Sequence, residues 1–294
     1  MQEYCPEGSH VQPPDIDAIQ RGIGSERIFQ AMCTKCDEFH NLHVDLGAQR
    51  GVIPREEAAL GIAEGTAREI AILSRVGKPV SFKVLAIDHH GIAILSRAAA
   101  QAEARNHFLR TLTPGDILPA VIQNNTQYGA FCDIGCGFPA LMRIDRCCVS
   151  RLRSSADLFR AGQAVYAAVL AIDRDIGRID LTGRELLGTW QENADQFRPG
   201  QTVPGTVRSV MPYGVFIELT PNLSGLAEAD ESLSVGDHVS VFIRSIHYGR
   251  HKIKLSVLEK LPPQPGPQVP EYSISDGHLN KWEYYPGSSA VTVF

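Results

Sequence analysis

Cys33-Thr34-Lys35-Cys36, followed by His40 and His43, sets two thiols and two imidazoles in a C-x2-C-x3-H-x2-H run, a spacing that zinc or thiol redox chemistry can use. A second group of side chains offers stacking instead. Tyr128 and Phe131 flank Gly129, and Tyr213 and Phe216 flank Gly214 in the same arrangement. An exposed ring presents a face to any flat π system, worth roughly 1–3 kcal/mol for each base it stacks. A third group is basic: Arg143, Arg146, Arg151 and Arg153 close together, Arg178 beyond them, then Arg208, Arg244, Arg250, Lys252 and Lys254. Such groups beside a stacking surface hold phosphates; the alternative for each is a solvated charged face. No phosphate loop, nucleophile elbow or H-E-x-x-H run occurs, so the chain is not expected to be an enzyme.

These residues are placed by an internal repeat. Pro114/Pro199, Gly115/Gly200, Tyr128/Tyr213, Gly129/Gly214, Phe131/Phe216 and Leu141/Leu226 all lie 85 positions apart. A later piece repeats at 74 positions, with Gly162/Gly236, Val165/Val239, Ile172/Ile246 and Leu181/Leu255, so the third copy is shorter in the loop between its halves. A worn first copy is visible in GKPVSFKVLAID at 77–88 against GQAVYAAVLAID at 162–173, and in HVDLG at 43–47 against FCDIG at 131–135. That alignment sets His40 on Tyr128 and His43 on Phe131. The two histidines thereby have a reason for their spacing, and Cys33 and Cys36 fall on a first strand, where thiols pack as small apolar groups. No metal, cofactor or redox role is expected.

The third copy reads as five strands: Pro204 to Val210, Val215 to Leu219, Gly225 to Glu228, Val239 to Ser245 and Lys252 to Val257. Val239, Val241 and Ile243 alternate with Ser240, Phe242 and Arg244, the period of a half-buried strand. Five antiparallel strands with a longer link after the third outline an OB barrel. The fold class expected is therefore all-β: three tandem five-stranded OB-fold barrels joined by short helical connectors. Its divisions are an arm at 1–23, a degenerate repeat at 24–97 with a helical insert, a helical connector at 98–112, a repeat at 113–183, a second helical connector at 184–197, a repeat at 198–261 and a Pro-rich and aromatic tail at 262–294. The tail's PPQPGPQVP run reads as extended polyproline-like chain, and the part holding Trp282, Tyr284 and Tyr285 as a segment that packs back.

The apolar fraction of 44% and charged fraction of 21% are ordinary for a globular protein, and no apolar run reaches membrane-span length. The N-terminus lacks the basic start and apolar run of a signal peptide, so a cytoplasmic protein with reduced thiols is expected. The net charge of −5 is concentrated outside the repeats, which are close to neutral. A neutral unit that binds a polyanion must rely on rings more than on long-range attraction.

The order G-x-V (Gly205, Val207), YGVF, S-G-L, V-G-D-x-V and K-x-K-L-S resembles the RNA-binding repeat of the bacterial small-subunit ribosomal protein S-one family. The likeness covers 113–183 and 198–260 well and 24–97 weakly, and the three-unit chain resembles that family's short form. The position where the family commonly carries a histidine holds Pro54, Arg143 and Glu228 in the three units. The resemblance implies a single-stranded RNA or mRNA binder acting in translation, with the small ribosomal subunit as partner. Tyr128, Phe131, Tyr213 and Phe216 would stack bases; Arg143, Arg146, Arg178, Arg208, Arg244, Lys252 and Lys254 would hold phosphates. A monomer with no membrane contact is expected. The alternatives are a protein-docking platform built on the first unit, and an RNA chaperone or nuclease accessory off the ribosome.

Overall fold

The computed structural model describes residues 4–9, 14–47, 49–263, 266–267 and 269–294. Fifteen of its strands close into three five-stranded barrels. The first contains β1 (Phe29–Cys36), β2 (Leu42–Leu46), β3 (Gln49–Ile53), β4 (Pro79–Ile87) and β5 (Ala93–Ser96), closed in the order β1-β2-β3-β5-β4. The second contains β6 (Ile117–Asn125), β7 (Gly129–Asp133), β8 (Pro139–Arg143), β9 (Ala164–Asp173) and β10 (Arg178–Thr182). The third contains β11 (Thr202–Met211), β12 (Gly214–Thr220), β13 (Leu223–Ala227), β14 (His238–His247) and β15 (Lys252–Lys260). In each, the third strand runs parallel to the fifth and closes the barrel.

Alternation dictates the core. Val239, Val241 and Ile243 of β14 and Ile253 and Leu255 of β15 point inward and are at most 2% exposed, meeting Val207, Val215 and Ile217. β-Branched side chains suit this pleated, half-buried surface, and each full burial contributes about 1.5–3 kcal/mol. The all-β barrel expectation holds, and the five strands of the third barrel extend the sequence reading by one to three residues at most of their ends.

The chain divides into two compact units, Met1–Leu112 with Asp133–Pro139, and Thr113–Cys132 with Ala140–Phe294. In the first, the N-terminal segment differs from the loose arm expected. Helix α1 (Ile16–Gly22), capped by Asp15, buries Ile19 completely. Glu7 is buried too, its carboxylate paired with Arg97 at 2.7 Å while its N–H donates to Asp133. The insert at 54–75 also departs from its helix propensity. It forms a 3-10 turn at Arg55–Glu57 and only one short helix, α2 (Ile70–Leu73), because Gly61 and Gly65 take positive φ between them. Helix α3 (Arg97–Thr111), capped by Ser96, is the connector that the alanine-rich sequence implies.

In the second unit the connector after β10 is interrupted. A 3-10 turn at Arg184–Leu187 and helix α5 (Trp190–Ala194) are separated by Gly188 at φ 81°. A single turn of helix, α4 (Ile144–Cys147), follows β8. The C-terminal hairpin of β16 (Lys281–Glu283) and β17 (Val291–Val293) does pack back: Trp282 and Tyr284 are buried with the third barrel's core, and the Tyr284 hydroxyl donates to the Asn222 carbonyl. Residues 264, 265 and 268 of the proline-rich run lie outside the described residues; those described on either side are neither helix nor strand.

Candidate nucleic-acid interface

The third barrel carries an outward row across its strands. β12 pairs with β11 at Phe216/Ser209 and with β13 at Phe216/Leu226, and β13 pairs with β15 at Leu226/Lys254. Alternate residues share a face, so Phe216, Leu226 and Lys254 stand side by side on the outer surface. Tyr213, at the hairpin tip, is 67% exposed and meets Phe216 edge to face with ring centroids 6.3 Å apart. Neither ring is part of the core. Gly214 is required between them: its φ is 155°, and a Cβ there would stand 2.5 Å from the Ala227 carbonyl oxygen. Lys252 and Lys254 are exposed, without ion-pair partners among the described residues. Arg244 is exposed beside Phe242 and hydrogen-bonded to Ser256. Phe242, 36% exposed, points outward from β14 between Thr202 and Ser256, as its alternation with Val241 and Ile243 dictates.

Arg208 departs from its expected role as a phosphate ligand. It occupies a bulge in β11, its side chain is 9% exposed, and its guanidinium grips both oxygens of Glu218 at 2.7 and 2.9 Å. Burial pulls its pKa down, but the hydrogen bonds and charge of Glu218 outweigh this and leave it raised. A cation so engaged is an internal strut, and removing either partner would strand a buried charge.

The second barrel repeats the rings. Tyr128 is 72% and Phe131 40% exposed, and a Cβ on Gly129 would meet the Met142 carbonyl oxygen at 2.1 Å. The charges are arranged differently. Asp180, beside Leu141 in the β8/β10 pairing, stands where the third barrel has Lys254, and Arg178 pairs with it at 3.2 Å. Arg143, at the position of Glu228, is exposed and paired with Asp145 at 3.0 Å. Arg146 is half-buried, reaching Asp145 and donating to Thr292 of the C-terminal hairpin.

In the first barrel the corresponding row is Lys35, His43, Val52 and Ile94. His40, at φ 64°, faces Glu69 at 2.9 Å, and Arg55 also binds Glu69. These hydrogen bonds, Arg55 foremost, hold the Glu69 carboxyl below its usual range. His43 faces Asp37 at 3.2 Å; desolvation pushes that carboxyl up, but hydrogen bonds from Asn41, His43 and the Phe39 N–H bring it down to about 2. Two carboxylates therefore sit beside the two imidazoles. Phe39, 70% exposed next to His40, is a ring that the repeat alignment passed over because it is offset by one position. Cys33 is buried in the core, and burial pushes its thiol up to about 11. Among the described residues no three His, Cys, Asp or Glu side chains converge as a metal set, and none of the seven cysteines is in a disulfide.

The sequence is similar to those of known proteins. A Bacillus subtilis (strain 168) protein named small ribosomal subunit protein bS1 homolog is 29% identical over 235 residues, 74% of this chain and 59% of that protein. The Leuconostoc lactis small ribosomal subunit protein bS1 is 29% identical over 270 residues, 85% of this chain and 61% of that protein. The chain is similar to the bS1 proteins. It spans about three fifths of the length of these two bS1 relatives. Among solved structures, a multidomain protein with nucleic acid binding domains from Streptococcus pneumoniae aligns with 81% of this chain and 75% of that chain, at 15% identity and a TM-score of 0.28. No family model matches the chain. Among the described residues, no helix is long and apolar enough to cross a membrane.

Proposed function

We propose that the chain is a non-enzymatic, bS1-like protein that binds single-stranded RNA, mRNA included, at the small ribosomal subunit in the cytoplasm. The observation that carries this reading is the recurrence, on two barrels, of an outward-facing ring pair around an obligatory glycine, Tyr128/Phe131 and Tyr213/Phe216, with Tyr128, Phe131 and Tyr213 exposed and Phe216 half-buried, beside basic side chains. Bases stack on the rings whatever their sequence, while Lys252, Lys254 and Arg244 on the third barrel, and Arg143 and Arg178 on the second, meet the phosphates. Arg146 contributes less, because the C-terminal hairpin holds it, and Arg208 takes no part. The chain acts as a monomer.

The test is direct. Fluorescence anisotropy with a labelled oligouridylate should show binding by the intact chain, and sucrose-gradient fractionation should find it with the small subunit. An intact chain that leaves the oligonucleotide free would overturn the RNA reading; one that binds RNA but sediments away from ribosomes would favour an RNA chaperone or nuclease accessory.

One observation favours a second reading for the first barrel. Phe39, Ile70, Leu73 and Val76 are large exposed apolar side chains in a unit whose His40 and His43 are paired to carboxylates. Such a surface suits a protein partner better than a phosphate chain.

A further inference from the structure

The arginines at 151 and 153 belong by sequence to the second barrel, but the loop that carries them lies on the third. Val149 donates its N–H to the Asn222 side chain at 3.0 Å, and Ser150 donates its own to the Pro221 carbonyl at 3.0 Å. The Ser150 hydroxyl meets that of Ser224, on β13, at 3.0 Å. Further along, Arg153 donates to the Val235 carbonyl at 3.4 Å, and Asp157 reaches Arg208 of β11. From β13 to β11 the loop crosses the outer face of the third barrel, beside a groove of about 350 Å³.

The register says where on that face. Ser224 pairs with Glu218, two residues from the Leu226/Phe216 pair, so the loop covers the row next to the ring row, about 7 Å away along the strands. Glu218 and Arg208 neutralise each other beneath the loop. Arg151 is exposed immediately after Ser150 and has no ion-pair partner among the described residues. Its chain neighbour Ser150 sits one row from Phe216, on the side away from the Tyr213 hairpin tip.

We propose that residues 150–157 form one wall of the third barrel's RNA face, with Arg151 contacting the phosphodiester of a strand whose bases stack on Tyr213 and Phe216. The site is composite: the rings come from one repeat and this cation from the preceding one. The proposal rests on the reading of the ring rows as an RNA face. Its consequence is that the third repeat alone lacks a phosphate contact that the full chain has.

The test is a set of double-mutant cycles in the full chain, by anisotropy with a fluorescein-labelled oligouridylate of about 12 nucleotides. Arg151→Gln should weaken binding roughly three- to tenfold and flatten the log–log salt dependence by about 0.7, the contribution of one phosphate on a single strand. Its thermal midpoint should match the parent's. In a Tyr213→Ala/Phe216→Ala background the effect of Arg151→Gln should disappear; in a Tyr128→Ala/Phe131→Ala background it should persist. The reverse pattern would return Arg151 to the second barrel and overturn the composite site. So would a full effect in both backgrounds, or no effect of Arg151→Gln in a parent that binds. A parent that does not bind the oligonucleotide would instead sink the underlying RNA reading.

Discussion

The second and third barrels present the same rings at the same places and opposite charges around them. Where the third has Lys254 in the ring row and Glu228 at the end of the neighbouring strand, the second has Asp180 and Arg143. Each barrel stays close to neutral, yet the two surfaces are not equivalent. In the second, both basic residues are answered locally, Arg178 by Asp180 and Arg143 by Asp145. In the third, Lys252 and Lys254 have no such partner among the described residues. On the proposed reading, position within the row should guide phosphate binding better than formal charge does. By that measure the third barrel is expected to be the tighter binder, although Glu228 viewed alone ranks it lower. The first barrel, with Ile94 in the same place and carboxylates against His40 and His43, is expected to be the weakest.

The largest effect should come from what the second and third barrels share. Tyr128→Ala with Tyr213→Ala should weaken oligonucleotide binding by about 2–5 kcal/mol if each ring stacks one base, and leave the salt slope unchanged. Affinities at several salt concentrations decide it; a double mutant that binds like the parent would show that the rings are bystanders. Arg143→Ala with Arg146→Ala should do the opposite, flattening the slope with a smaller loss at physiological salt.

Next in size is a stability effect confined to the third barrel. Arg208→Ala should destabilise the second unit by about 3 kcal/mol, because it leaves Glu218 buried without its partner. Thermal or denaturant unfolding reads this directly. Loss of RNA affinity with an unchanged midpoint would restore Arg208 as a phosphate ligand.

The charge difference itself should be transferable. Lys254→Ala should reduce the slope by about 0.7, and Asp180→Lys should add a comparable increment by giving the second barrel the third's row. If Asp180→Lys leaves both slope and affinity as they were, the row does not explain the difference between the barrels. The smallest effect belongs to the first barrel: Phe39→Ala or His43→Ala in the full chain should change RNA affinity by less than about twofold, against the roughly 1–3 kcal/mol of a stacking ring. The full chain is the right object, since Asp133 accepts the Glu7 N–H within the first unit and a fragment ending at 112 would lack it.

Much of the protein follows from local rules. Period-two alternation determined the β14 and β15 core, because a strand's successive side chains must point to opposite faces. The 85-residue repeat determined that Tyr128 and Tyr213 share an address, whereas the cross-strand carbonyls of Met142 and Ala227 exclude a side chain at Gly129 and Gly214. Three features were decided only by tertiary structure. Arg208 and Lys254 look alike as basic residues on strands, but a β-bulge and Glu218 bury one while the parallel pairing with Leu226 exposes the other. The arm at 4–9 and 14–23 reads as polar and irregular, yet Glu7 finds Arg97 ninety positions away, a long-range pairing no local pattern encodes. The loop at 150–157 lies on the repeat after its own, because the unpaired N–H groups of Val149 and Ser150 are satisfied by Asn222 and Pro221. Periodicity is a property of neighbours in sequence and can be read there; which distant group neutralises a charge or accepts a hydrogen bond depends on the path of the whole chain.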